Sequence, residues 1–137
     1  MRFAARLDEH GYSPPQVGVL RLLNAMPDMS QQDLATRLGM QPSRVVAFVD
    51  ELEESGLVKR VRDDVDRRRN TIQLTAKGKR ALATIGSVAR EHEADLCKAL
   101  SGAERAELSS LLGRIASDQG LVPGVHPGYR ALGKTRS

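Results

Sequence analysis

The stretch from Met29 to Arg60, MSQQDLATRLGMQPSRVVAFVDELEESGLVKR, decides how the rest of the chain is read. Ser30-Gln31-Gln32-Asp33 has the form of a helix start, with serine as cap and Asp33 in the first turn, where its charge suits the exposed N–H groups. Leu34, Ala35 and Leu38 then face inward, and Gly39 stops a helix of about two turns. After the link Gly39-Met40-Gln41, Pro42 opens a second helix for which Gln41 is an indifferent cap. Val45, Phe48, Val49 and Leu52 recur at i, i+3, i+4 and i+7. This spacing buries one face and leaves Ser43, Arg44, Ala47, Asp50, Glu51 and Glu54 outside, until Gly56 ends the helix. Two short helices joined by a tight turn, the second with a polar outer face, fit a helix-turn-helix.

Upstream, Ser13-Pro14-Pro15-Gln16 combines a serine cap, a proline at the first helical position and a glutamine placed to close a capping box. The helix it starts carries Val17, Leu20, Leu23 and Ala25-Met26 and is broken by Pro27-Asp28. Downstream lie two strand-like segments, Leu57 to Arg62 and Asn70 to Leu74. In the second, Ile72 and Leu74 point one way and Thr71 and Gln73 the other, as in a hairpin with one face on a core. Asp63 to Arg69 is then the tip. Thr75 caps a long helix expected to continue to about Leu100, with Leu82, Ile85, Ala89, His92, Leu96 and Ala99 forming a seam between helices or subunits. Ser101-Gly102-Ala103-Glu104 begins a last helix with Leu108, Leu111, Leu112 and Ile115 along one side. The Gly- and Pro-containing tail that follows is expected to be extended or mobile. The fold class is mainly α with a small β-hairpin, a winged helix-turn-helix with helical extensions.

A length of 137 residues suits one domain. With only 3% aromatics and no Trp, the core must come from Leu, Val, Ile and Ala, which favours helices. The apolar runs are too short for a membrane span, and the N-terminal residues lack the apolar centre of a signal peptide, so a cytoplasmic protein with no membrane partner is expected. Cys97 is the single cysteine, which excludes an intrachain disulfide and a multi-cysteine zinc site. The net charge of +4 is unevenly placed: from Lys59 to Arg80 nine basic residues face three acidic ones, while the remainder is slightly acidic. Such a concentrated basic segment points to a polyanionic partner.

Taken together, MSQQDLATRLGMQPSRVVAFVDELEESGLVKR and DRRRNTIQLTAKG, in that order, resemble the helix-turn-helix, wing and following helix start of the MarR family of bacterial transcriptional regulators. The resemblance runs from about Ser13 to Ile115. It implies a single domain over residues 1–137. Within it, residues 13–80 would be the winged DNA-binding part, 1–12 and 81–118 the helical dimerisation part, and 119–137 a tail. It further implies a homodimer on a double-stranded, pseudo-palindromic operator, acting as a repressor or, in occasional members, an activator. A small-molecule effector or an oxidant, reaching the junction between dimer helices and winged part, would release it. The family's first dimer helix is usually longer than residues 1–12 allow; Phe3, Ala4 and Leu7 would supply a short version.

A helix in the major groove reads base edges with its N-terminal residues, which makes Gln41, Ser43 and Arg44 the candidates, Arg44 being able to grip guanine in a bidentate way. Family members often carry a longer side chain at the position of Ala47, which places more weight on Arg44. Asp66 and Arg68 match the family's wing pattern of Asp then Arg two residues on. An arginine at a hairpin tip suits the negative potential of a narrow minor groove, and a carboxylate beside it can hold the guanidinium. Arg67, Arg68 and Arg69 are thus the wing candidates, with Asp66 as orienter; Lys59, Arg60 and Arg62, like Arg67 and Arg69, are expected on phosphates. His92 on the apolar seam and Cys97 are candidate sensors, although a packed histidine and a buried structural cysteine are the simpler readings. Glu91, His92, Glu93 and Cys97 lack a metal-ligand spacing beyond one i, i+4 pair, so no metal and no cofactor are expected. The histidine and cysteine inventory carries no catalytic motif, which argues against an enzyme. The competing reading is a winged-helix module for protein interaction, against which the basic wing speaks.

Overall fold

Local capping signals fix where the helices begin. The computed structural model describes residues 2–123, and in chain order its elements are α1 (Phe3–Glu9), α2 (Pro14–Ala25), β1 (Met29–Ser30), α3 (Gln31–Leu38), α4 (Pro42–Glu54), β2 (Val58–Arg62), β3 (Asn70–Leu74), α5 (Ala76–Leu96) and α6 (Gly102–Asp118). At α3 the Ser30 hydroxyl accepts the Asp33 N–H and the Asp33 carboxylate accepts the Ser30 N–H, both at 3.1 Å. The Ser101 and Glu104 pair repeats this reciprocal arrangement at α6. At α2 the Gln16 side chain accepts the Ser13 N–H at 3.0 Å. Gly39 takes φ 65° as it closes α3, a left-handed conformation that carries no penalty for a residue without Cβ.

These helices pack around one core in which Leu7, Val19, Leu20, Leu34, Val45, Val49 and Ile72 are fully buried. Leu38 and Leu52 join them from α3 and α4, and Ala81, Ile85 and Val88 from α5. The helix-turn-helix is therefore held by leucine and valine contacts from both of its helices, each fully buried aliphatic side chain worth roughly 1.5–3 kcal/mol of transfer free energy.

Three features depart from the sequence reading. The sheet has three strands in the order β1-β3-β2, because Met29 and Ser30 pair antiparallel with Ile72 and Thr71. This extra strand covers the far edge of β3 and explains why Thr71, expected on the outer face, is buried opposite a buried Ser30. The long helix ends at Leu96 rather than near Leu100, with Cys97 as its cap. Its deepest residues are Ala81, Ile85 and Val88, the row that meets the core, whereas Leu82, Ala89 and His92 are half-buried and Leu96 is 71% exposed. Of the expected seam, Ile85 lies in the core and Leu82 packs against it, whereas Ala89 and His92 are half-buried and Leu96 and Ala99 are exposed. The expected tail falls mostly on residues 124–137, outside the described residues.

Candidate nucleic-acid interface

With Val45, Val49 and Leu52 rooted in the core, α4 must turn its other faces out. Gln41, Ser43 and Arg44 of its first turn are all exposed, as is Ala47. The Gln41 carbonyl accepts the N–H groups of both Arg44 and Val45, so the helix that Pro42 starts is hydrogen-bonded from its first turn. Among the described residues the Arg44 guanidinium has no ion pair or hydrogen bond.

Two nested side-chain turns build the wing tip. Asp63 accepts the Val65 N–H at 2.9 Å, and Asp66 accepts the Arg68 N–H at 3.0 Å. The Asp63 N–H donates to the Arg69 carbonyl and the Arg69 N–H to the Asp66 carbonyl, both at 2.9 Å, closing the loop. Aspartates favour such turns because a short carboxylate reaches the main chain two residues on. The Asp66 carboxylate, expected to hold the Arg68 guanidinium, accepts the main-chain N–H of Arg68 instead. The tip holds out Arg67 and Arg68, both exposed and with side chains unpaired among the described residues, and Val65 at 96% exposure.

Two arginines expected at the nucleic acid are engaged elsewhere. The Arg69 guanidinium pairs with Asp33 in the first turn of α3. The Ser30 main chain and hydroxyl, with Arg69 and Arg37 adding their charge, hold the Asp33 carboxyl below the usual carboxylate range. The guanidinium of Arg60, expected on a phosphate, is partnered within the protein. Its Nε and Nη2 donate to Gln31 Oε1 at 3.0 and 2.8 Å, its Nη1 to Glu53 Oε1 at 2.9 Å, and its Nη2 also to Asp50. Its main-chain N–H adds a bond to Glu53 Oε2 at 2.9 Å. A guanidinium with its fork occupied in this way has little donor capacity left for a phosphate. Lys59 and Arg62 are exposed and unpaired among the described residues. Sequence reasoning missed Gln31, Asp50 and Glu53 as a set. Asp50 and Glu53 lie at i, i+3 on one side of α4, but nothing local announces that an arginine on a later strand will meet them.

At the other end of the molecule, α1 lies on α5. The Phe3 ring sits 5.4 Å from the His92 ring, inclined by 34°, and Arg6 pairs with Asp95, whose carboxyl it holds below the usual range. His92 Nδ1 and Arg6 Nε are buried and lack a hydrogen-bond partner among the described residues. Cys97 is half-buried at the end of α5, its N–H bonded to the Glu93 carbonyl. Among the described residues no group of three His, Cys, Asp or Glu could hold a metal ion, and no helix is long and apolar enough to cross a membrane. Helix α6 buries none of its residues; Leu108, Leu111, Leu112 and Ile115 all stand exposed on it.

Against known proteins, residues 10–69 match the family model described as MarR family. A Thauera aromatica protein assigned to transcriptional regulation of the hcr operon is 34% identical over 113 residues, 82% of this chain and 68% of that protein. The uncharacterised HTH-type transcriptional regulator YfiV of Bacillus subtilis is 40% identical over 68 residues, half of this chain but only 42% of that protein. Among solved structures, the transcriptional repressor CouR bound to a 23-mer DNA duplex superposes with a TM-score of 0.71 at 37% identity, covering 83% of this chain and 81% of that one. Wild-type MarR from E. coli in its apo form superposes at 0.74 with 22% identity, covering 82% and 84%, a likeness of fold.

Proposed function

Since this chain belongs to the MarR family of transcriptional regulators, we propose that it binds a pseudo-palindromic DNA operator as a homodimer and represses until an effector reaches the base of its dimer helices. The observation that carries the reading is the pair of arginines, Arg67 and Arg68, exposed and unpaired among the described residues, on a hairpin whose turns are fixed by Asp63 and Asp66, on the same body as the exposed first turn of α4. In this reading Gln41, Ser43 and Arg44 enter the major groove and read base edges, with Arg44 engaging guanine. Arg67 and Arg68 reach the adjacent minor groove, where the potential is most negative, and Asp66 keeps the turn that aims them. Lys59, Arg62 and the rim of the wing neutralise phosphates. Arg69 supports the wing from within through Asp33.

Dimerisation falls to residues 1–12 and 81–118, and α6 is its main support. A helix of this length with a row of leucines and no buried residue of its own is stable only when another surface covers that row. The sensing position is the contact of α1 with α5, where His92 and Arg6 each keep a buried polar atom without a partner among the described residues, a cost that a bound polar group would relieve. Cys97, at the open end of α5, is the alternative sensor for an oxidant.

The test is a mobility-shift titration of the full chain against the DNA beside its own gene, with scrambled duplex as competitor and salt varied. Competitor-resistant binding, with log Kd changing by about 0.9 per decade of salt for each phosphate neutralised, is expected. Equal affinity for operator region and scrambled duplex would refute sequence-specific regulation of that region and favour a winged helix serving a protein partner.

A further inference from the structure

Arg60 ties together three elements, β2, α3 and α4. It rises from the middle of β2. Its guanidinium spans Gln31, the first residue of α3, and Asp50 and Glu53 on one side of α4. The main-chain N–H of the same residue is held by the second oxygen of Glu53, so both the strand and its side chain are pinned to α4. Only 22% of the side chain is exposed, against 61% and 41% for its two carboxylate partners. The wing is braced at two further points. Arg69 reaches Asp33 at the start of α3, and Gln73 donates to Asp28, whose φ of 64° marks the turn between α2 and β1.

We propose that Arg60 is a positioning residue for DNA recognition, a clasp that fixes the wing against the recognition helix so that both read DNA as one rigid unit, without itself touching the DNA. The inference deepens the function proposed above and rests on it for its consequence at DNA, but the clasp itself is a property of the protein alone. Shape decides the assignment: a planar fork spreads its donors over three nitrogens and so reaches acceptors on two different helices at once, whereas an ammonium gathers its three N–H donors on a single nitrogen. The clasp also has an electrostatic side. Asp50 and Glu53 are carboxylates on the helix that faces DNA, and Arg60 is the cation that offsets them. Loosening it would free the wing to swing and uncover two negative charges beside the phosphates. A phosphate contact predicts the reverse pattern, in which charge matters and shape does not.

Arg60→Lys and Arg60→Gln separate the two roles, because lysine keeps the charge and loses the fork. Two readouts apply to the full-length chain. The first needs no DNA: amide hydrogen exchange of Val58 to Arg62 and Asn70 to Leu74, normalised to the amides of α2 so that a general loss of stability is divided out. The second is the ratio of affinities for the duplex that the wild type enriches from a randomised library and for the same duplex with its wing-side bases changed. The clasp predicts that both variants raise normalised wing exchange about tenfold and lower the affinity ratio about tenfold, with Glu53→Gln, which leaves Arg60 in place, moving exchange in the same direction. Wild-type exchange and an unchanged affinity ratio in Arg60→Lys would overturn the proposal and return Arg60 to the phosphates. Should the wild type enrich no duplex, the proposed function fails, while the exchange measurement still decides whether the clasp exists.

Discussion

Gly78 tests how the wing is joined to the long helix, because a single methyl group there meets main chain. A Cβ at this position would lie 2.1 Å from the Leu57 carbonyl oxygen and 3.1 Å from the Leu57 carbonyl carbon and Leu74 Cδ2. That oxygen also accepts the Thr75 N–H at 3.1 Å, so it cannot retreat without loosening the start of α5. Ordinary carbon contacts need roughly 3.5 Å, and the shortfall of more than an ångström falls on backbone. Overpacking of this kind costs roughly 1–3 kcal/mol, and a rigid obstacle belongs at the upper end. Losing the Thr75 bond adds about 1 kcal/mol, and alanine's helix preference returns about 1 kcal/mol. The net expectation for Gly78→Ala is a loss of about 3 kcal/mol, or a fall in melting midpoint of roughly 10 °C for a domain of this size. Thermal unfolding followed by circular dichroism measures it, at one fixed protein concentration because association shifts midpoints. Gly86→Ala is the internal control. Its Cβ would meet only the end of the Arg90 side chain at 3.4 Å, so there the helix preference should dominate and stability should rise by up to about 1 kcal/mol. A Gly78→Ala protein that melts at or above the wild-type midpoint would refute the reasoning. So would equal losses at both glycines, which would point to helix flexibility rather than close approach.

Other outcomes are expected with the same directness. Arg68→Ala should weaken binding to the enriched duplex by about 1–3 kcal/mol, while Arg44→Ala should in addition flatten the preference among base changes; equal binding by wild type and Arg68→Ala would remove the wing from the interface. Leu112→Glu places a charge in the exposed row of α6, and sedimentation should show a lighter species than the wild type; an unchanged mass would move the subunit contact elsewhere. Because the folded Asp33 carboxyl sits below its ordinary value, its contribution is complete above that ordinary value and fades as the pH falls through the lowered one. Asp33→Asn should therefore lower stability by about 1 kcal/mol at neutral pH, as loss of a capping interaction does, and flatten the acid limb of a urea-midpoint profile; parallel wild-type and variant profiles would exclude this role.

What was legible in the chain was whatever is written within a few residues. The starts at Ser13, Ser30, Thr75 and Ser101, the stops at Gly39 and Gly56, and the inward rows of α3 and α4 all depend on neighbours along the sequence, and they stand in the structure as read. What escaped depends on partners far away. Three arginines in a row look alike in a sequence, yet the turn at the wing sends Arg69 back to Asp33 and leaves Arg67 and Arg68 facing out. Arg60 looked like one more basic residue on a strand because its partners lie on two different helices. Met29 and Ser30 were readable as a cap and its predecessor, and their pairing with Thr71 and Ile72 is again long-range. The expected seam on α5 and its deepest row share Ile85 and diverge on either side of it, because a helix shows the same period to its own core and to another surface.

Thr75 carries one more implication, for what evolution can do to this chain. It alone separates Leu74, the end of β3, from Ala76, the start of α5, and it uses every group it has: its N–H goes to Leu57, its hydroxyl donates to the Gly56 carbonyl at 2.6 Å and accepts the Gly78 N–H at 3.0 Å. A joint one residue long has no slack. Inserting a single amino acid would turn α5 by about 100° and advance it by about 1.5 Å, swinging Ala81, Ile85 and Val88 away from the core. The wing tip can lengthen or shorten and still be a hairpin, whereas the connection at Thr75 is closed to insertions and deletions, so variation in length among relatives should collect on the tip side of the hairpin and stop at this residue.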